Sequence, residues 1–180
     1  MERRILALDP ANRTGWAYVG RDGRRLYGAW NIAKPGDSQP GARLRRFRDG
    51  LRELVDRFPV DLLACEDSCL GVGDRSRNTL RMHAELIGVV KMLAGDLGVP
   101  LHLYAPMTVK AYAGCAGKRT RSDKTAMCRA CRLLLGIETD DDDIADALWV
   151  LELARSGRVA TVGSSKRRAA RASEPQGRLF

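Results

Sequence analysis

Apolar positions fall along this chain in two rhythms, short unbroken runs and stripes at helical spacing. Residues 3–9, Arg-Arg-Ile-Leu-Ala-Leu-Asp, make a run that ends on a carboxylate, the pattern of a buried strand. Pro10, Ala11, Asn12 and Arg13 supply turn chemistry, and 14–20 resumes as a second strand. Asp22-Gly23 marks a hairpin into a third strand over 25–32. A loop rich in Gly and Pro (34–41) precedes a helix on which Leu44, Phe47, Leu51, Leu54, Val55 and Phe58 share one face, with Pro59 at its end. Residues 60–66, Val-Asp-Leu-Leu-Ala-Cys-Glu, form a fourth strand and again finish on an acid.

Beyond Gly71 and Gly73 the spacing predicts a long helix over 76–97, stopped by Gly98, and a fifth strand over 99–104. A short helix starts near Pro106, a glycine- and base-rich loop spans 114–121, and two helices cover 122–136 and 140–156. Three hairpin-linked strands followed by strands alternating with helices describe an α/β domain: a mixed five-stranded sheet with helices on both faces. This domain takes in residues 1–156. From Gly157 onward Ala, Ser, Gly and Arg dominate, with Lys166-Arg167-Arg168 among them. So few apolar residues cannot offset the entropy of ordering, and 157–180 is expected to be a flexible basic tail.

Composition adds one strong signal. Of 180 residues, 44% are hydrophobic, which is enough to bury a core, but 31 Lys+Arg face 22 Asp+Glu for a net charge of +9. Such an excess suits a polyanionic partner, because phosphate contacts release condensed counterions; an inert basic surface has the same composition. No stretch is long and apolar enough to span a bilayer, and the amino terminus runs straight into a strand pattern without a signal peptide. Five cysteines make an odd count with no disulfide framework, which fits reduced thiols and a cytoplasmic setting. Cys128 and Cys131 have CxxC spacing, but no further ligands accompany them, so packing is the expected role.

The candidate chemistry lies in the acids. Asp9 and Glu66 both end apolar strands, where a carboxylate is costly unless it caps a turn, is paired, or binds a cation. Asp143 and Asp146 are spaced i, i+3 near the start of the last helix, so both face the same way, while Ala145, Ala147 and Leu148 suit close packing on a sheet. Asp140, Asp141 and Asp142 are adequately explained by the helix dipole; Asp146, one turn in and flanked by apolar residues, is not. Oxygen donors without His or Cys suit Mg²⁺ or Mn²⁺, and two such ions ~4 Å apart serve phosphodiester cleavage.

These residues carry a resemblance. Ile5-Leu6-Ala7-Leu8-Asp9-Pro10 with Thr14-Gly15-Trp16-Ala17, Leu63-Ala64-Cys65-Glu66, Pro106-Met107-Thr108-Val109-Lys110 with Gly114 and Asp123-Lys124, and Asp143-Ile144-Ala145-Asp146-Ala147-Leu148 resemble, in order, the motifs of the RuvC family of Holliday junction resolvases. The likeness spans roughly residues 4–155. It implies an RNase H-like fold, a homodimer, and paired nicks across a four-way DNA junction. It assigns catalysis and metal binding to Asp9, Glu66, Asp143 and Asp146, with two ions per site, and phosphate contacts to Lys110 and Lys124. Lys118, Arg119, Arg75 and Arg77 are further candidate DNA contacts. The helix at 76–97 is the expected dimer element, through Leu80, Ala84, Ile87, Gly88 and Lys91, with Val90 and Leu93 alongside, although part of that stripe must pack on the sheet.

One departure stands out. Where the family carries an aromatic wedge after the second acid, this chain reads Asp67-Ser68-Cys69-Leu70-Gly71-Val72, leaving Leu70 or Val72 for that role. The divergent form suggests a phage or mobile-element member. A nuclease acting on RNA or RNA–DNA hybrids, and an idle branched-DNA-binding protein, are the competing readings. Gln176, Leu179 and Phe180 resemble the peptide with which bacterial repair proteins bind the sliding clamp, and a tail folded back on the domain is the alternative.

Overall fold

The computed structural model describes residues 2–39, 41–67, 77–115 and 123–158, with the backbone alone at Asp123 and Lys124. Five strands, β1 (Ile5–Asp9), β2 (Arg13–Val19), β3 (Arg25–Asn31), β4 (Leu62–Glu66) and β5 (Leu101–Tyr104), form one sheet in the order β3-β2-β1-β4-β5. The first three run antiparallel through short turns, and β1, β4 and β5 are parallel. Parallel neighbours need crossovers, supplied by α1 (Ala42–Arg57) and α2 (Arg77–Leu97). Then follow α3 (Pro106–Tyr112), α4 (Asp123–Ala130) and α5 (Asp142–Arg155).

Side-chain alternation divides the strands between two cores. Leu6, Leu8, Tyr18, Leu63 and Cys65 pack with Phe47, Leu51 and Leu54 of α1 and Leu86, Ile87, Val90, Leu93 and Ala94 of α2. Ile5, Ala7, Ala17, Val19, Leu62 and Ala64 point the other way, onto α5 and onto Val109, Met127 and Ala130 of α3 and α4. Small residues at the centre of that face let α5 lie close over β1 and β2. It is apolar nearly all round, with Ala145, Ala147, Leu148, Trp149, Val150, Leu151 and Leu153 buried, as befits a helix covered by sheet on one side and helices on the other. The expected mixed sheet with helices on both faces is the architecture found.

Two details sharpen the expected picture. The helix predicted over 122–136 is α-helical only to Ala130; Cys131–Leu135 continues as a π turn that ends at Gly136, whose φ of +67° a β-carbon would disfavour. Cys131 is buried there, but Leu133 and Leu134 are 68% and 67% exposed. The stripe assigned to one face of α2 also divides. Ile87, Val90 and Leu93 are core, whereas Ala84, Gly88 and Lys91 are exposed. The tail from residue 159, the wedge candidates Leu70 and Val72, and Arg75, Lys118 and Arg119 lie outside the described residues. Gln176, Leu179 and Phe180 do so as well.

Candidate active site

The sheet itself sets the first two acids side by side. In the parallel ladder Leu8 pairs with Cys65, so the next residues along, Asp9 and Glu66, end neighbouring strands together. Asp9 continues the face of Ile5 and Ala7, and Glu66 that of Leu62 and Ala64, so both belong to the face covered by α5. The third element arrives with the first turn of α5, which packs on β1 and β2.

A glycine makes that approach possible. Gly15 stands opposite Asp9 in the antiparallel ladder. A β-carbon at Gly15 would lie 1.9 Å from the carbonyl oxygen of Asp143 and 2.4 Å from its carbonyl carbon. Any side chain there would push the first turn of α5 off the sheet and away from Asp9. Next to it, buried Thr14 donates its hydroxyl to the Ala11 carbonyl at 2.9 Å and closes the turn that follows Asp9.

α5 begins two residues later than 140 because Asp141 is its cap, accepting from the amides of Asp143 (3.2 Å) and Ile144 (3.4 Å). That leaves Asp142 and Asp143 in the first turn and Asp146 one turn on. The structure thus brings together all four predicted acids. Asp9 keeps some solvent access, but desolvation pushes its carboxyl well above the usual carboxylate range, and Glu66, Asp146, Asp143 and Asp142 push it further. Desolvation also raises Asp143, against the hydrogen bond it receives from Arg13.

Arg13 is the residue that sequence reasoning missed. Its guanidinium donates to Asp141 Oδ1 at 2.6 Å and to Asp143 Oδ2 at 2.9 Å, and pairs with the second oxygen of Asp141 as well. That pairing holds Asp141 below its ordinary value. Asp141, Asp142 and Asp143 can bring one oxygen each within 4.8 Å of one another, a spacing that suits a cation. Within that trio Asp141 is already committed to the cap and to Arg13, and among the described residues Asp9, Glu66 and Asp146 do not join it at that spacing.

The basic candidates are less closely placed. Lys110 lies half-buried in the last turn of α3, which packs on α5, and it forms no ion pair with these acids among the described residues. Lys124 is the second residue of α4, also packed on α5. Arg77 opens α2 and is exposed.

A sheet of this order, with acids at two adjacent parallel strand ends and on a helix crossing them, is the RNase H-like fold. Over residues 5–152 the chain matches the family described as crossover junction endodeoxyribonuclease RuvC. A RuvC of Chloroflexus aggregans is 34% identical over 153 residues, covering 82% of this chain and 89% of the relative. A RuvC of Anaeromyxobacter sp. is 35% identical over 149 residues, covering 81% and 77%. Among solved structures, Thermus thermophilus RuvC in complex with a Holliday junction substrate superposes with a TM-score of 0.67 at 23% identity, covering 88% of this chain and 98% of that one. A yeast mitochondrial Holliday junction resolvase gives 0.55 at 12% identity, covering 83% and 77%. The chain belongs to the RuvC family of crossover junction endodeoxyribonucleases.

Proposed function

We propose that this protein resolves four-way DNA junctions by paired phosphodiester hydrolysis, with Asp9, Glu66, Asp143 and Asp146 as its catalytic, metal-holding carboxylates. The observation that carries the reading is Asp9: a desolvated carboxylate ringed by acids from β4 and α5, in a chain of this family. Like charges gathered around a desolvated carboxylate favour a bound cation. Its donors are all oxygen, which fits Mg²⁺ or Mn²⁺ and not the softer metals. Held by these oxygens, two such ions would supply the charge that activates a water and steadies the leaving 3′-oxygen.

The chain's own residues do the rest. Asp9 and Glu66, fixed by the sheet ladder, form a rigid floor, and the first turns of α5 add Asp143 and Asp146 from above. Lys110 and Lys124, on helices that pack against α5, contact phosphates flanking the scissile bond, and the +9 net charge draws in the polyanion. Arg75, Arg77, Lys118 and Arg119 extend that contact, and Leu70 or Val72 holds the crossover open. Two nicks require two sites, so the working form is a homodimer, for which the exposed Ala84, Gly88 and Lys91 of α2 are the meeting surface. The protein works in the cytoplasm, where Gln176, Leu179 and Phe180 of the tail bind the sliding clamp. Among the described residues no helix is long and apolar enough to cross a membrane.

A junction-cleavage assay tests the reading. Symmetrical nicks are expected with Mg²⁺ or Mn²⁺ and none in EDTA. Equal or faster cleavage of an RNA–DNA hybrid would reassign the substrate, and binding without cleavage in either metal would make the protein an architectural one.

A further inference from the structure

Arg13 holds two carboxylates, and it holds them unequally. Asp141 grips the guanidinium with both oxygens and is itself fixed as the cap of α5. Asp143 shares one oxygen with one nitrogen, Nη1, at 2.9 Å. The Arg13 side chain is 41% exposed, so it has room to draw back from Asp143 without leaving Asp141. Its positive charge therefore occupies the edge of the acidic ring, on an oxygen that a metal ion would also use.

We propose that Arg13 is a resident counter-cation that competes with the divalent ion for Asp143 and thereby sets the protein's metal affinity. In the metal-free chain it donates to Asp143 Oδ2 and relieves part of the repulsion within the ring. A divalent ion on Asp143 would take that oxygen and leave the guanidinium on Asp141 alone, close enough for its positive charge still to weaken the ion's hold. Arg13 is a positioning residue, since it acts through Asp143 and Asp141. The inference rests on the reading of Asp143 as a metal ligand.

Competition and simple bracing of α5 predict opposite signs. Removing a competing positive charge a few ångströms from a divalent ion tightens binding, on the order of tenfold for a partly exposed pair. Removing its anchor, by Asp141→Asn, leaves the guanidinium to Asp143 alone and weakens binding by a similar factor. If Arg13 only braced the helix, both changes would weaken it.

The test is calorimetric titration of the metal-stripped full-length protein with MnCl₂, without DNA, alongside melting curves in EDTA. Arg13→Gln is expected to bind Mn²⁺ about tenfold more tightly while melting lower in EDTA, Arg13→Lys to stay near wild type, and Asp141→Asn to bind more weakly. Unchanged or weaker binding by Arg13→Gln overturns the proposal, as does tighter binding by Asp141→Asn. Asp143→Asn separates the two levels of inference. Loss of Mn²⁺ affinity there, with none gained in Arg13→Gln, refutes the role of Arg13 alone; unchanged affinity in Asp143→Asn refutes the metal site itself. Should Arg13→Gln fail to fold, arginine side-chain NMR of the wild type decides. Adding Mg²⁺ is expected to release one restrained Nη group, and an Arg13 signal blind to Mg²⁺ overturns the competition.

Discussion

The parallel pair β1–β4 carries an acid at each end, and the fold treats the two oppositely. At the amino end Asp61, just before β4, accepts from the Arg4 backbone amide (3.0 Å), Nε (3.0 Å) and Nη2 (2.5 Å). The Arg4 guanidinium holds its carboxyl far below the usual range. At the carboxyl end Asp9 meets no such partner of opposite charge among the described residues. Burial and four like charges drive it upward. One acid is held as an anion by a partner within the chain; the other is pushed toward its neutral form by its surroundings. Cores on both faces of the sheet sustain that arrangement, so stability gained elsewhere holds the site ready.

The largest expected effect breaks the carboxyl end. Asp9→Asn should reduce junction nicking in Mg²⁺ by about a thousandfold or more, since several kcal/mol of charge stabilisation is lost. Junction affinity should hold or rise, because phosphate contacts carry it and one repelling charge is gone. Gel-shift and nicking assays on one preparation check both. Nicking within tenfold of wild type would remove Asp9 from the site.

A smaller effect is expected at Gly15, which touches no substrate. Gly15→Ala places a methyl group 1.9 Å from the Asp143 carbonyl oxygen, so α5 must shift. Such overpacking typically costs about 1–3 kcal/mol of stability. Because the shift lifts Asp143 and Asp146 from Asp9 and Glu66, nicking should fall about a hundredfold, with junction binding nearly intact. Chemical denaturation and single-turnover cleavage measure the two. A stability loss without a rate loss would show that α5 adjusts without moving its acids.

Legibility in the sequence followed the range of the interactions. Asp9 and Glu66 could be read because each ends a continuous apolar run, and the strand ladder does the rest. Asp143 and Asp146 could be read because i, i+3 spacing is a local fact. Arg13 could not: within Pro10-Ala11-Asn12-Arg13 it looks like turn filler, and its partners lie 128 and 130 residues away. Gly15 was visible in the motif, but the reason for it, the Asp143 carbonyl, exists only once α5 crosses the sheet. Leu133 and Leu134 carry no sequence signal of their exposure: past Ala130 the helix continues as a π turn that turns both outward. On α2 the residues Ile87 and Gly88 are neighbours in sequence, and a broad stripe could not say which of them the core would take.

The smallest expected effect separates the two ends by pH, in the metal-free protein. Asp61 has a folded value below its unfolded one, near 3.9. Its contribution is therefore fully present above about pH 4–5 and is lost as pH falls below 4 toward the folded value. Asp9 has a folded value above its unfolded one. The neutral form is favoured by folding, so the contribution of Asp9 is present below about pH 4 and is lost as pH rises toward the folded value. Melting curves in EDTA from pH 3 to 8 should then move in opposite directions for two isosteric variants. Asp61→Asn should melt a few degrees below wild type at neutral pH and converge with it near pH 3. Asp9→Asn should match wild type near pH 4 and melt progressively above it as pH rises, because wild type alone must bury a new anion. Saturating Mn²⁺ at pH 7 should raise the wild-type midpoint and leave that of Asp9→Asn nearly unmoved, closing the gap. If instead both variants track wild type at a constant offset, neither acid titrates differently on folding, and the contrast between the two ends of the strand pair is one of geometry without charge.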